Sequence, residues 1–177
     1  DNMTDRASAL AALVNASGDR AFDHAGQCLD IFFNHYADES LVVNQWLSVQ
    51  ASSRRPGCYE RVVALQSHPA YDATNPNKVR ALIGAFCMRN QAQFHRRDGV
   101  GYRLLADEVL RLDSINPQLA SRLLTPLTQW QTFADHYREA MCAQLERIAA
   151  APALSPDVYE VVSKSLAMLD NEVLVHH

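Results

Sequence analysis

The apolar positions of this chain recur at steps of three and four residues almost from end to end, which is the period of an α-helix. Phe22, Ala25, Leu29, Phe32, Phe33 and Tyr36 line one stripe, and Val42, Trp46 and Val49 carry the same period into the next segment. The run Leu41-Val42-Val43 also suits the start of a strand, but the longer period favours a helix. Tyr59, Val62, Val63 and Gln66 form a further face, followed by Leu105, Val109 and Leu112, and then by Tyr137, Met141, Leu145 and Ile148. A first helix, capped by Asn2 or Thr4, is expected to run through about Val14.

The breakers between these stripes carry as much information. Pro56-Gly57 separates two helices, and His68-Pro69 ends the second, because the residue before a proline is pushed out of the helical region. Asn75-Pro76, Asn116-Pro117 and Ser155-Pro156 share one grammar: a capping side chain, then a proline whose missing N–H costs nothing at the first helical position. They open helices with apolar faces Val79/Ile83/Phe86, Leu119/Leu123/Leu127/Trp130 and Val158/Val161/Leu166. Gly99 and Gly101 bracket a turn. The sum is an all-α protein of roughly nine or ten helices, each about 10 to 18 residues long, joined by short connectors. Short connectors predict antiparallel neighbours, stacked as pairs in a superhelical HEAT/ARM-like array or gathered in a closed bundle; patterning alone does not separate the two. Residues 1–167 read as one helical domain. Residues 168–177 carry few structure signals and read as a tail, in which His176-His177 resembles the end of an affinity tag.

Composition changes this picture little. Hydrophobic residues make up 48% and charged residues 20%, the balance of an ordinary globular domain. No apolar run approaches the roughly 20 residues that cross a bilayer, and no targeting leader is present, so no membrane partner is expected. A net charge of −4 and a pI near 5.9 give no reason to expect a nucleic-acid partner. Arginine greatly outnumbers lysine, of which only Lys78 and Lys164 occur; codon bias accounts for the excess, so individual arginines must be argued by position. Cys28, Cys58, Cys87 and Cys142 lack any C-x-x-C pairing and read as small buried hydrophobes in a reducing compartment, which points to the cytoplasm.

Seven histidines invite a metal hypothesis, but there is no H-E-x-x-H or H-x-x-E-H. His24 and His35 are too far apart for adjacent turns, and His68, His95 and His136 stand alone, so no metal site is expected in this chain. G-x-S-x-G and the phosphate-binding G-x-x-x-x-G-K-[ST] are absent as well. Gly99-Val100-Gly101 follows a helix and reads as a turn, and Arg96-Arg97 at a helix end complements the helix dipole. Asn75 and Asn77 read as caps, and Trp46 and Trp130 as core.

Asn75-Pro76-Asn77-Lys78-Val79-Arg80-Ala81-Leu82-Ile83-Gly84-Ala85-Phe86 is more distinctive. With Phe94-His95, Asp98-Gly99, Gly101-Tyr102, Asn116-Pro117-Gln118, Ala120-Ser121-Arg122-Leu123 and Pro126-Leu127, it resembles the C-terminal domain of bacterial aminopeptidase N, of the gluzincin M1 type. Asn2-Met3-Thr4-Asp5-Arg6, Val42-Val43-Asn44-Gln45-Trp46 and Leu145-Glu146-Arg147-Ile148 fit the same register, so the resemblance covers about residues 1–167. It implies a multidomain zinc metalloprotease, a hydrolase that removes N-terminal residues from peptides. The zinc motif and the G-x-M-E-N loop of such enzymes do not occur here, so this chain alone is expected to have no catalytic residue and no cofactor, with zinc held by the parent.

The resemblance further implies a helical array that closes over the catalytic domain of the same parent chain and limits access to small peptides. Arg80 and Arg122 match positions lining the enclosed cavity in such enzymes. Arg80 lies five residues past the Asn75 cap and Arg122 six past the Asn116 cap, a comparable depth that suits one concave face. A guanidinium pair there would hold a peptide's C-terminal carboxylate. The alternative is that each arginine ties down a neighbouring helix. A freestanding helical-repeat scaffold that binds a protein partner is the other reading of the whole chain.

Overall fold

The computed structural model describes residues 3–15 and 19–175, with the side chains of 5–6, 8–12, 14–15 and 26–168. The architecture is all-α; no strand occurs among the described residues. The chain divides into two compact units, Asp1–Gln93 and Phe94–His177.

In the first unit, α1 (Met3–Asn15), α2 (Asp19–Tyr36) and α4 (Cys58–Leu65) all pack on α3 (Ser40–Ala51). The spacing of Val42, Val43, Trp46, Leu47, Gln50 and Ala51 explains why: these buried positions step by three and four and give α3 a wide apolar face. Trp46 is fully buried, and its indole N–H donates to the Leu29 carbonyl of α2 at 2.9 Å, so the ring is anchored as well as packed. Burying such a side chain contributes on the order of 2–3 kcal/mol. Pro76 opens a helix made of α5 (Pro76–Val79), a π-helical stretch (Arg80–Gly84) and α6 (Ala85–Arg89). Asn75 caps it, its Oδ1 accepting from the N–H groups of Asn77 at 3.0 Å and Lys78 at 3.4 Å. In the π stretch the carbonyl of Ala81 accepts a bond from Ser48 Oγ of α3 at 3.0 Å, a partner from outside the helix. Asn90 follows α6 and is almost fully buried; its amide donates to the carbonyls of Ala51 at 3.0 Å and Ser53 at 2.6 Å, closing the end of α3. The short α7 (Gln91–Phe94) then leads out of this unit.

In the second unit, α8 (Val100–Asp113) packs on α9 (Pro117–Leu123) and on α11 (Asp135–Ala149), and α12 (Pro156–Val175) packs on α9 and α11. Leu105, Val109 and Leu112 are buried, as are Met141, Leu145 and Ile148. Trp130 is fully buried, its indole N–H donating to Ser165 Oγ of α12 at 3.1 Å.

Several details differ from the pattern-based expectation. The face Leu119/Leu123/Leu127/Trp130 is not one helix: α9 stops at Leu123, α10 spans Thr125–Thr128, and Trp130–Thr132 forms a 3-10 turn. The cause is Pro126, which has no N–H for the Arg122 carbonyl; that carbonyl accepts a backbone N–H of the helix end and the Thr125 hydroxyl, the latter at 2.9 Å. Short elements of this kind fall below the expected 10 to 18 residues. On α12 the buried positions are Val158, Val162 and Ser165 rather than Val158, Val161 and Leu166, and Val63 of α4 is exposed. Only Gly99 belongs to the turn before α8; Gly101 lies within the helix. Asn77 is no cap, since it sits inside α5 and its Oδ1 accepts from Arg80. Thr4 falls inside α1, and Asn2 lies outside the described residues. Helix α12 continues through 168–175. Among the cysteines, Cys58, Cys87 and Cys142 are buried, but Cys28 is exposed.

Candidate functional site

Arg80 stands out by contrast with its surroundings. Every residue from Val79 to Cys87 is buried except Arg80, which is exposed. Its Nη1 donates to Asn77 Oδ1 one turn earlier at 3.4 Å, a long contact within its own helix. The π-helical stretch begins at this residue. Such stretches recur at functional positions because they turn a side chain out of the regular register.

Arg122 is placed in a similar local frame. The Asn116 cap accepts from the Leu119 N–H at 3.0 Å, and Pro117 occupies the first helical position. Leu119, Ala120, Leu123 and Leu124 point into the core, while Arg122 is exposed. Among the described residues no side chain or carbonyl holds its guanidinium. Arg80 belongs to the first unit and Arg122 to the second.

The remaining histidines are accounted for by packing, except His24, His176 and His177, whose side chains lie outside the described residues. His95 stacks on Phe133 with ring centroids 4.5 Å apart, and its Nδ1 is 2.6 Å from the Tyr102 hydroxyl. Burial pushes His95 below its ordinary value and raises Tyr102 to about 12, so the hydroxyl keeps its proton. Arg96 pairs with Asp98 at 2.6 Å instead of serving only the helix end. Among the described residues there is no group of three or more His, Cys, Asp or Glu side chains placed to hold a metal ion.

Sequence reasoning passed over one cluster in the first unit. Gln50 is almost fully buried; its Nε2 donates to the Trp46 carbonyl at 3.1 Å, and its Oε1 accepts from Arg61 Nε at 2.8 Å. Burial holds the half-buried Arg61 below the usual guanidinium range, with Asp30 acting in the opposite sense. Arg61 borders a cavity of about 230 Å³ between the ends of α1 and α3, the middle of α2 and the start of α4. The one available signal was a glutamine on the apolar face of α3, where an unpaired amide would be costly.

Residues 1–167 match the family described as a domain of unknown function (DUF3458_C) with ARM repeats. The chain belongs to this ARM-repeat family. It is 41% identical over 165 residues to aminopeptidase N of Caulobacter vibrioides, covering 93% of this chain and 19% of that protein. Aminopeptidase N of Escherichia coli is 38% identical over 171 residues, covering 94% of this chain and again 19% of the relative. Among solved structures, Legionella pneumophila aminopeptidase A in complex with aspartic acid superposes with a TM-score of 0.87 at 34% identity, over 95% of this chain and 19% of that one. The chain thus spans about one fifth of the length of these relatives. Membership in the ARM-repeat family decides between the two architectures left open by patterning, in favour of stacked helical repeats over a closed bundle.

Proposed function

We propose that this chain is the non-catalytic C-terminal domain of a zinc aminopeptidase of the M1 type. In that role it closes over the catalytic domain of the same parent chain, limits access to small peptides and helps to bind the peptide's C-terminal side. The observation that carries the reading is the extent of the match: almost the whole of this chain aligns with one fifth of aminopeptidase N. Arg80 and Arg122 are the residues offered for peptide binding. Both are exposed next to well-packed apolar neighbours, which supports a role facing outward. A guanidinium presents a planar fork that meets a carboxylate through two charge-assisted hydrogen bonds.

The zinc belongs to the parent's catalytic domain. No described group of side chains in this chain fits the ion. What this chain contributes is wall, selectivity and positive charge, and no catalytic acid or base. The partners are that catalytic domain and peptide substrates; the acidic balance speaks against a polyanion, and no described helix is long and apolar enough to cross a membrane. Four cysteines without a disulfide support a cytoplasmic setting.

The test is kinetic and uses the full-length parent. Arg122→Ala, and separately Arg80→Ala, should raise KM about tenfold for peptides. Amino-acid anilides, which lack a distal carboxylate, should be little affected. Equal effects on both substrate classes would end the anchoring role. In cell lysate, an antibody to this chain should detect a band far above 19.8 kDa that co-migrates with zinc-dependent aminopeptidase activity. A band at 19.8 kDa would favour the protein-binding scaffold instead.

A further inference from the structure

The cavity beside Arg61 is the feature that the aminopeptidase reading leaves unused. Its apolar walls are Val14 of α1, Leu29 of α2, Pro56 of the loop and Cys58 of α4. One cationic group on this wall is held with its end groups unspent. Arg61 Nε is committed to Gln50 Oε1 at 2.8 Å, no hydrogen bond to the two terminal nitrogens is present among the described residues, and the Asp30 carboxylate acts on the guanidinium through its charge. Gln50 is itself almost fully buried and locked by the Trp46 carbonyl, so the guanidinium is oriented by a rigid support and not by chance. The neighbouring Arg55 is turned aside, its Nη1 reaching the Val14 carbonyl at 3.4 Å.

Gly26 supplies an independent observation. It lies inside α2, where glycine costs stability relative to alanine, and it borders this cavity. A Cβ built on it meets no atom within 4 Å, so no close packing or positive φ requires the glycine. The space it leaves belongs to the cavity. Cys58 also lines the space, one turn before Arg61 on the same helix, and is pushed up to about 11 by burial, so it stays uncharged beside the guanidinium.

We propose that this cavity binds a small free carboxylic acid with an apolar body. The carboxylate would meet the terminal nitrogens of Arg61, and the body would lie against Val14, Leu29 and Pro56. The volume of about 230 Å³ is below the range of about 300–1,000 Å³ usual for drug-sized ligands, which limits the acid to roughly ten non-hydrogen atoms. A guanidinium in a mostly apolar setting favours a carboxylate over its neutral amide, because the bond is charge-assisted.

The experiment is a ¹⁹F NMR titration of 4-fluorobenzoate, with 4-fluorobenzamide in parallel, against the full-length protein that carries this chain. Saturable binding of the benzoate is expected, at least about tenfold tighter than the amide. Arg61→Gln should weaken it by about tenfold or more. Gly26→Leu should abolish it while leaving every arginine in place, because the new side chain fills the cavity from a position with no steric conflict. This second variant decides the matter if Arg61→Gln fails to fold. Absence of saturable binding, equal affinity for acid and amide, or unchanged binding in Gly26→Leu would each overturn the proposal.

Discussion

Ser155 and Asp113 join the start of one helix to the end of another. The buried carboxylate of Asp113, at the last turn of α8, accepts both the backbone N–H of Ser155 at 2.8 Å and the Ser155 hydroxyl. The same hydroxyl oxygen accepts from the Val158 N–H at 3.2 Å, so it caps α12 while donating to Asp113. The cap is therefore fixed by a charge-assisted bond, and loss of the Ser155 hydroxyl leaves the buried Asp113 with only the backbone N–H of residue 155.

Ser155→Ala is accordingly expected to cost about 1–2 kcal/mol, toward the upper end for a helix cap. Asp113→Ala should cost a similar amount. Because the two share one network, the double variant should lose less than the sum, with a coupling of about 1 kcal/mol. Urea unfolding of the four proteins measures the cycle. Strict additivity would show that the two groups act independently.

Gly101 is needed for a different reason from Gly99. A Cβ at Gly101 would lie 2.9 Å from both the Cα and the carbonyl carbon of Phe94, and closer still to its oxygen, all backbone atoms that cannot swing away. Gly101→Ala should therefore destabilise by about 3 kcal/mol, at the high end for overpacking. Gly99 has φ of +70° before α8, and Gly99→Ala should cost only about 1 kcal/mol. Thermal melts of the two variants rank them, and a smaller loss at Gly101 than at Gly99 would contradict the close approach of α8 to Phe94.

These two sites show how far the sequence could be read. The three Asn/Ser-Pro starts were legible because cap and proline act within three residues of one another, and all three cap bonds are present. The break at Pro126 was missed because Leu119, Leu123, Leu127 and Trp130 keep a helical period across it; the stripe persists through a change of backbone path. Arg80 and Arg122 are offered as a pair chiefly through family resemblance, since their similar depth past a cap says nothing of what lies opposite a side chain. The need for Gly101 depends on Phe94 backbone brought close by tertiary packing, and the Gln50–Arg61 pair joins two helices eleven residues apart. Local grammar reveals element starts; contacts made by packing stay hidden in it.

Thiol reactivity follows from burial. Cys28 is exposed, whereas Cys58, Cys87 and Cys142 are buried, and burial raises Cys58 to about 11 even though Asn90 opposes the shift. The thiolate is the reactive form. In a native sample at pH 8, an aromatic disulfide reagent should therefore modify Cys28 alone among the cysteines of this chain, and all four in denaturant. Replacement of Cys28 by Ser should abolish the native reaction of this chain. Rapid labelling of Cys58 in the native state would contradict the closed environment described for it.

Stability should also depend on pH through two histidines. His95, ringed by Phe94, Tyr102, Phe133 and Tyr137, is held below 6.5 by burial. His68, between Phe33 and Trp46, is lowered by burial first and then by the charge of Arg61, with Asp30 opposing. Its Nδ1 accepts the Ala70 N–H at 3.0 Å, a bond that only the unprotonated nitrogen makes. Each ring binds a proton more weakly in the folded state than in the unfolded chain. The unfolded state therefore gains protons first as pH falls through 6.5, and stability declines from there until the folded-state values are reached. Urea midpoints at pH 8, 6.5 and 5 should fall in that order, with the larger step between 6.5 and 5. His95→Gln retains a hydrogen-bonding group for the Tyr102 hydroxyl but cannot titrate, so its decline over the same interval should be shallower than that of the parent. A variant that tracks the parent at all three pH values would show that His95 bears no part of the pH dependence.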